Sequence, residues 1–564
     1  FYLKKQMTVT MKDIEIYCRN THTSHTYPMG TSLLEISNDL NIKLQNQVCG
    51  AIVNHQVKEL SFCVVKPKHI EFIDFSHPDG MRMYIRSLIF VLYAAVKEVF
   101  PHVAFKVQNG ISNGYFCELQ GLEREISESD IFSIKQEMNA LIEADIPFVK
   151  KGIITSHAVD LLAKQGLEDK AQLFEQQGRM YSYLYFLNDL GDYFYGNLLP
   201  STGYISNYGL VPYFDGLLLQ VPRRKHFKKL HKVVYNDKLF EIFQEQKDWA
   251  EILNVSTIGS LNDFALQNRS GDIIKISEAL HEKKIAEIAN QISARGNGTK
   301  VVLVAGPSAS GKTTFSKRLG VQLAVNGMRP YQVSLDDYFV DREHTPKDEN
   351  GEYDFEALEA IDIEFFNHQL IELFEGKEVR LPRFDFHSGK RMQNGKTLKL
   401  EKDDILIVEG IHGMNPGLLT DVAEQNTFKI FISALTQISV DEHTHISTAD
   451  NRLLRRMIRD SRYRGYRAAD TIKRWPSVRK GEEKNIFPYQ ENADIMFNSA
   501  TIYELAVLKK YAEPILKLVL ENQPEYMEST RLLEFLSYFK PISDVEIPPT
   551  SLLREFLGGS SFAY

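Results

Sequence analysis

Six residues, Lys300-Val-Val-Leu-Val-Ala305, run without interruption into Gly306-Pro-Ser-Ala-Ser-Gly-Lys-Thr-Thr314. A short, continuous apolar run rich in β-branched residues marks a strand buried on both faces, the environment of a parallel sheet covered by helices. Gly306 and Gly311 let the following backbone turn tightly enough to aim successive N–H groups at one point, and the helix expected from Lys312 onward directs its positive end to the same place. Strand, glycine loop and helix in that order commit this part of the chain to an α/β fold. Every fixed position of G-x-x-x-x-G-K-T is filled, so the anion expected here is a nucleotide polyphosphate. The backbone of residues 306–314, Ser308 and Ser310 included, would wrap the phosphates, Lys312 would reach the terminal ones, and Thr313 and Thr314 add hydroxyls. Thr313 is also the expected Mg²⁺ ligand, which makes ATP and Mg²⁺ the expected cofactors.

A phosphate loop does not by itself fix a reaction; the carboxylates at neighbouring strand ends do. Gln332 to Leu335 reads as a short strand ending in Asp336-Asp-Tyr338, and Ile405 to Val408 as another ending in Glu409. In an open parallel sheet both ends face the crevice that holds the phosphates. Glu409 is then placed to hold Mg²⁺ and Asp336 to accept the proton of an attacking hydroxyl, with Asp337 beside it as the other candidate base. Further on, arginines recur at helical spacing in Asp450-Asn-Arg-Leu-Leu-Arg-Arg-Met-Ile-Arg-Asp460. Phosphoryl transfer needs cations around the migrating group, and Arg455 and Arg459 could supply them, with Arg452 expected to bind the substrate.

At these residues the chain resembles the uridine kinase and phosphoribulokinase group of P-loop kinases. The resemblance covers roughly the last half, carried by Ser334-Leu-Asp-Asp-Tyr-Phe339, Tyr353-Asp-Phe-Glu356, Leu381-Pro-Arg-Phe-Asp-Phe-His387 and the arginine-rich stretch. It implies that Asp336 is the catalytic base. It also implies that Phe355, Phe384 and His387 contact a base, that Glu356 grips ribose hydroxyls, and that Arg452 to Arg467 belong to a lid. The activity implied is phosphorylation of a nucleoside 5′-hydroxyl, uridine or cytidine first. Another nucleoside or a pentose phosphate is the alternative acceptor within that class, and an RNA-binding regulatory NTPase is the alternative outside it.

With 564 residues the chain exceeds what one hydrophobic core serves. The first seventy or so residues read as a β-grasp domain, with Ser32 and Glu35 as a capping box opening a helix. Through Tyr27-Pro-Met-Gly-Thr-Ser-Leu-Leu-Glu-Ile36 they resemble the TGS module of threonyl-tRNA synthetases. Residues 76–225 are similar to the α+β second, editing-type domain of the same enzymes, but Gly80-Met-Arg-Met-Tyr-Ile-Arg-Ser-Leu88 lacks the HxxxH pair that would set two imidazoles on one helical face. The expected division is 1–75, 76–225, a helical connector at 226–297 with Ile276, Leu280 and Ile285 inward, and a kinase domain at 298–564.

A net charge of −8 gives no overall attraction to nucleic acid or anionic membrane. The four cysteines form no close pair, which fits a reducing cytoplasm. The expected partner is a small nucleoside, without a membrane or a stable nucleic acid, and self-association stays open. His443 and His445 read as surface histidines, and the segment from Ile547 to Gly559 reads as a docking tail without chemistry.

Overall fold

The computed structural model describes residues 12–347, 351, 353–385, 388–401, 403–420 and 422–563. The chain is α/β and multidomain. Its N-terminal sheet comprises strands Asp13–Cys18, Thr23–Pro28, Gly50–Val53, Gln56–Glu59 and Lys68–Ile73, in the order second, first, fifth, third, fourth. The first and fifth strands are parallel, and the helix Leu33–Asp39 packs Leu33 and Ile36 onto Ile16, Val53 and Ile70, which makes the β-grasp. The capping box forms: Ser32 N–H donates to Glu35 Oε2 at 2.8 Å, and Glu35 N–H to Ser32 Oγ at 3.2 Å. The first strand is described from Asp13.

The next unit is built around the helix Pro78–Val99, whose Leu88, Phe90, Val91 and Leu92 are fully buried. Around it lie a four-stranded antiparallel sheet (Ala104–Ile111, Gly114–Gln120, Gly209–Tyr213, Gly216–Gln220) and a three-stranded one (Val149–Ile154, Tyr181–Leu187, Leu190–Asp192).

Residues 226–297 carry the helices Asp237–Ile252, Ile258–Leu266 and Ser270–Ala294. The last is more than a connector. Its Ile285, Ile288, Ala289 and Ile292 pack against Val302, Val304, Phe315 and Leu319, so it covers one face of the sheet that follows. Ile276, expected inward, is 42% exposed. The inward stripe runs instead through Ile274, Ser277, His281, Ile285 and Ile288. At about 100° per residue, nine positions put Ile276 and Ile285 on opposite sides of the helix.

That sheet has five parallel strands in the order Arg329–Ser334, Asp404–Glu409, Val301–Ala305, Thr427–Ser433, Ile495–Asn498. Val301–Ala305 is buried at every position, as a central strand with two covered faces must be. Registry pairs Ser334 with Glu409 and Glu409 with Val304, so the carboxyl ends of three strands reach one edge together. A further core joins the helices Thr448–Tyr463, Ala468–Asn485, Glu504–Leu516, Tyr526–Ser537 and Arg554–Leu557. The C-terminal segment is part of this core: Leu553, Phe556 and Leu557 are at most 2% exposed.

His443 is not a surface residue. It is 1% exposed, with Nδ1 2.7 Å from Asp192 Oδ2, and Lys170 Nζ also pairs with Asp192 and lies 3.6 Å from Asp441. Burial pushes the His443 imidazolium pKa down. Lys170 and Asp192 come from the synthetase-like unit, Asp441 and His443 from the segment after Thr427–Ser433, and this buried cluster joins the two. His445 is half-buried, and burial lowers its pKa to about 4. Among the described residues no helix is long and apolar enough to cross a membrane.

Candidate functional site

The phosphate loop links Val301–Ala305 to the helix Lys312–Val325, whose N-cap Gly311 sits at φ +85° in the left-handed region that favours glycine. Gly306 answers a different constraint: a Cβ there would lie 2.0 Å from the carbonyl oxygen of Ile432 on the adjacent strand. Ala309 also has positive φ, +60°, a conformation that costs a non-glycine residue about 1–2 kcal/mol and persists only where its surroundings hold it. They do. Arg455 Nη1 donates to Ala309 O at 3.4 Å and to Ser499 Oγ at 3.1 Å, its Nη2 donates to Ser499 O at 3.0 Å, and Ser499 Oγ bonds Ser310 O.

The residues expected to bind phosphate and metal converge. Lys312 Nζ donates to Gly306 O at 2.9 Å and Pro307 O at 3.2 Å, and Thr313 Oγ1 donates to Glu409 Oε1 at 3.1 Å. Burial pushes the Glu409 carboxyl up to about 7; the Lys312 charge opposes this, while Asp336 and Glu555 add to it. Asp336 and Asp337 lie in the 3₁₀ turn Leu335–Tyr338 that follows Arg329–Ser334. They part company there. Asp337 Oδ1 accepts the backbone N–H of Phe384 at 3.1 Å and so ties the turn to the strand Arg383–Asp385. Asp336 lies in the field of Lys312, Arg464 and Arg459, with burial raising its pKa against their pull.

The arginines divide by helical face, and two of the three expected to act from a lid turn into the core. In Thr448–Tyr463, Leu453, Leu454, Met457 and Ile458 are core residues. Arg452 and Arg455, three positions apart, point inward and are fully buried. Arg452 Nε donates to Ser308 O at 3.1 Å and its Nη2 pairs with Glu482, while Arg455 pairs with Glu504 and stacks 5.0 Å from the Phe556 ring. Both fasten the loop from the protein side, each paired with a buried carboxylate.

Arg456 and Arg459 flank that inward pair. Arg456 Nη1 donates to Ser308 Oγ at 2.8 Å. The buried Asp460 gathers Arg456, Arg459 and Arg464 at 3.4, 3.2 and 3.5 Å. One carboxylate thus holds three guanidinium groups, two of which act on Asp336.

On the acceptor side, Glu356 is half-buried with Oε2 unpartnered, and burial with the neighbouring Glu482 charge pushes its pKa up to about 7. The Phe355 ring is 41% exposed beside it. Phe384, expected to meet a base, is 6% exposed and packs edge-on to Phe339 at 5.6 Å, so its ring serves the core. His387 lies outside the described residues.

Four residues at the site carried no specific sequence signal. Arg456 and Arg464 belong to the arginine run, but only helical phase separates them from the buried pair. Glu482 accepts the N–H of Ser308 at 3.1 Å from a helix some 170 residues away. Glu555 accepts from Thr314 out of the supposed tail.

Residues 301–506 match the family described as Phosphoribulokinase / Uridine kinase family. A uridine kinase of Staphylococcus epidermidis is 28% identical over 212 residues, 37% of this chain and 93% of that enzyme. The N-terminal part is similar to threonine–tRNA ligases. That of Desulforamulus reducens is 24% identical over 229 residues, 39% of this chain and 36% of the ligase. That of Syntrophomonas wolfei is 27% identical over 179 residues, 31% of this chain and 28% of the ligase. The chain therefore spans about a third of the ligases it matches.

Proposed function

We propose that this chain, a phosphoribulokinase/uridine kinase-type domain at residues 301–506 behind a threonine–tRNA ligase-like N-terminal part, transfers the γ-phosphoryl group of ATP to the 5′-hydroxyl of a nucleoside in the cytoplasm. The observation that carries this is the separation of Asp336 from Asp337. Asp337 is spent on a backbone N–H, while Asp336 lies toward Lys312 and the arginines held by Asp460.

The donor side fits its ligands. Thr313 and Glu409 offer two hard oxygen donors 3.1 Å apart, the chemistry Mg²⁺ prefers. Thr313 and Glu409 would hold that ion, which when bound screens the charge of the β and γ phosphates. Lys312 binds the phosphates, Arg459 and Arg464 screen the transferring group, and Asp336 accepts the proton of the acceptor hydroxyl. Glu356, with Oε2 unpartnered and Asp336 close by, binds hydroxyls of the acceptor sugar, and the exposed ring of Phe355 stacks on its base. Uridine and cytidine are the first candidates, as the uridine kinase relatives suggest, with other nucleosides and pentose phosphates after them.

The test is a panel of nucleosides and pentose phosphates with ATP and Mg²⁺, run on the full chain and on Asp336→Asn. The substitution should leave ATP binding intact and lower kcat by about 10²–10⁴. A panel without any phosphorylated product, or wild-type turnover by Asp336→Asn, would remove this reading.

A further inference from the structure

The C-terminal helix Arg554–Leu557 ends against the phosphate loop. Its backbone is fixed by Phe556 and Leu557, which are 0% and 2% exposed, and Ser551 just before it donates to Glu278 Oε1 at 2.6 Å. Glu555, 9% exposed, projects its carboxylate the other way, where Oε2 accepts the backbone N–H of Thr314 at 3.2 Å and the Thr314 hydroxyl at 2.7 Å. Thr314 is in the first turn of Lys312–Val325, where backbone N–H groups have no acceptor within the helix and an anion gains from the dipole. Those first-turn donors are what a phosphate loop offers to its nucleotide. A carboxylate oxygen and a phosphate oxygen carry the same sign of charge and compete for the same hydrogens.

We propose that Glu555 is a built-in competitor of the nucleotide: its carboxylate must leave Thr314 before a phosphate can take the Thr314 N–H and hydroxyl, so the C-terminal segment sets the affinity of the loop. This rests on reading the loop as an ATP site. Glu555 also stands close enough to Glu409 to raise its pKa, which puts the segment's negative charge beside the proposed metal ligand as well. Displacement asks only for a rotation of the Glu555 side chain, because the flanking apolar residues hold the backbone. An effector or partner that drew Glu555 away would activate the loop without touching it.

Calorimetric titration of the full chain with ATP and with a non-hydrolysable analogue tests this on wild type, Glu555→Gln, Glu555→Ala and Glu555→Asp. Loss of the charge should tighten both ligands at least fivefold in the Gln and Ala variants, and shortening by one methylene should give an intermediate gain. Circular dichroism checks the fold; if the Ala variant does not fold, the isosteric Gln variant decides. Unchanged or weaker binding in a folded variant overturns the proposal, since weaker binding would make Glu555 a support of Thr314. Absence of ATP binding in every protein overturns the nucleotide site itself, and this proposal with it.

Discussion

Arg455 separates two accounts of the arginine-rich helix. As a lid cation it would act on the transferring phosphoryl group; as a pin it holds the loop from below. Arg455→Met keeps the apolar stem and removes the guanidinium. Glu504, 2% exposed, would then keep only Asn451 Nδ2 and the Thr501 N–H as partners, and the carbonyls of Ala309 and Ser499 would lose theirs. Removing one member of a buried ion pair costs about 3–5 kcal/mol, chiefly because the other charge stays buried without its counter-ion. The chain has two tryptophans, and Trp475 lies 8% exposed in the same core. In a Trp249→Phe background its fluorescence therefore reports urea unfolding of that core. We expect Arg455→Met to lower stability there by about 3–5 kcal/mol, and the double variant with Glu504→Gln to recover about 2 kcal/mol through the coupling. Nucleotide affinity should fall as well, because Ala309 loses the contact that holds its φ of +60°. A folded Arg455→Met of unchanged stability whose kcat has dropped a hundredfold would refute the pin and restore the lid.

Lys170→Met should be similarly costly at the joint between the synthetase-like and kinase parts, by about 3–5 kcal/mol, because Asp192 and Asp441 stay buried without the ammonium; an unchanged melting temperature would count against that joint. Glu409, held near 7 in the fold against 4.5 when free, binds more protons folded than unfolded between those values. Stability of the metal-free protein should therefore fall as pH rises from about 4.5 to 7, less steeply in Glu409→Gln, and equal slopes in the two proteins would show that Glu409 ionises normally.

The loop, its strand and its helix were legible in the sequence because they are local. Apolar runs, glycine spacing and the Lys-Thr pair act within fifteen residues, and the same locality made the Ser32 and Glu35 capping box readable. Glu409 and Asp336 were legible for a related reason: a parallel sheet delivers its strand ends to one edge whatever else the chain does. Periodicity alone could not say which face of an arginine helix turns inward. The core around Leu453, Leu454 and Met457 decided that, sending Arg452 and Arg455 under the loop and leaving Arg459 and Arg464 toward Asp336.

The motif around Phe384 points its ring at a base, but the core takes it, since an aromatic ring gains more from full burial than from a half-exposed edge. His443, Glu482 and Glu555 share one difficulty: their partners lie far away in sequence, His443 with Asp192 and Glu555 with Thr314, and no local pattern encodes a contact across 251 or 241 residues. What the sequence determined by itself is a phosphate site and its carboxylates. Only the tertiary structure decided which charges are spent holding the loop and which face Asp336, because burial and helical phase, not residue type, set the partners of a guanidinium or a carboxylate.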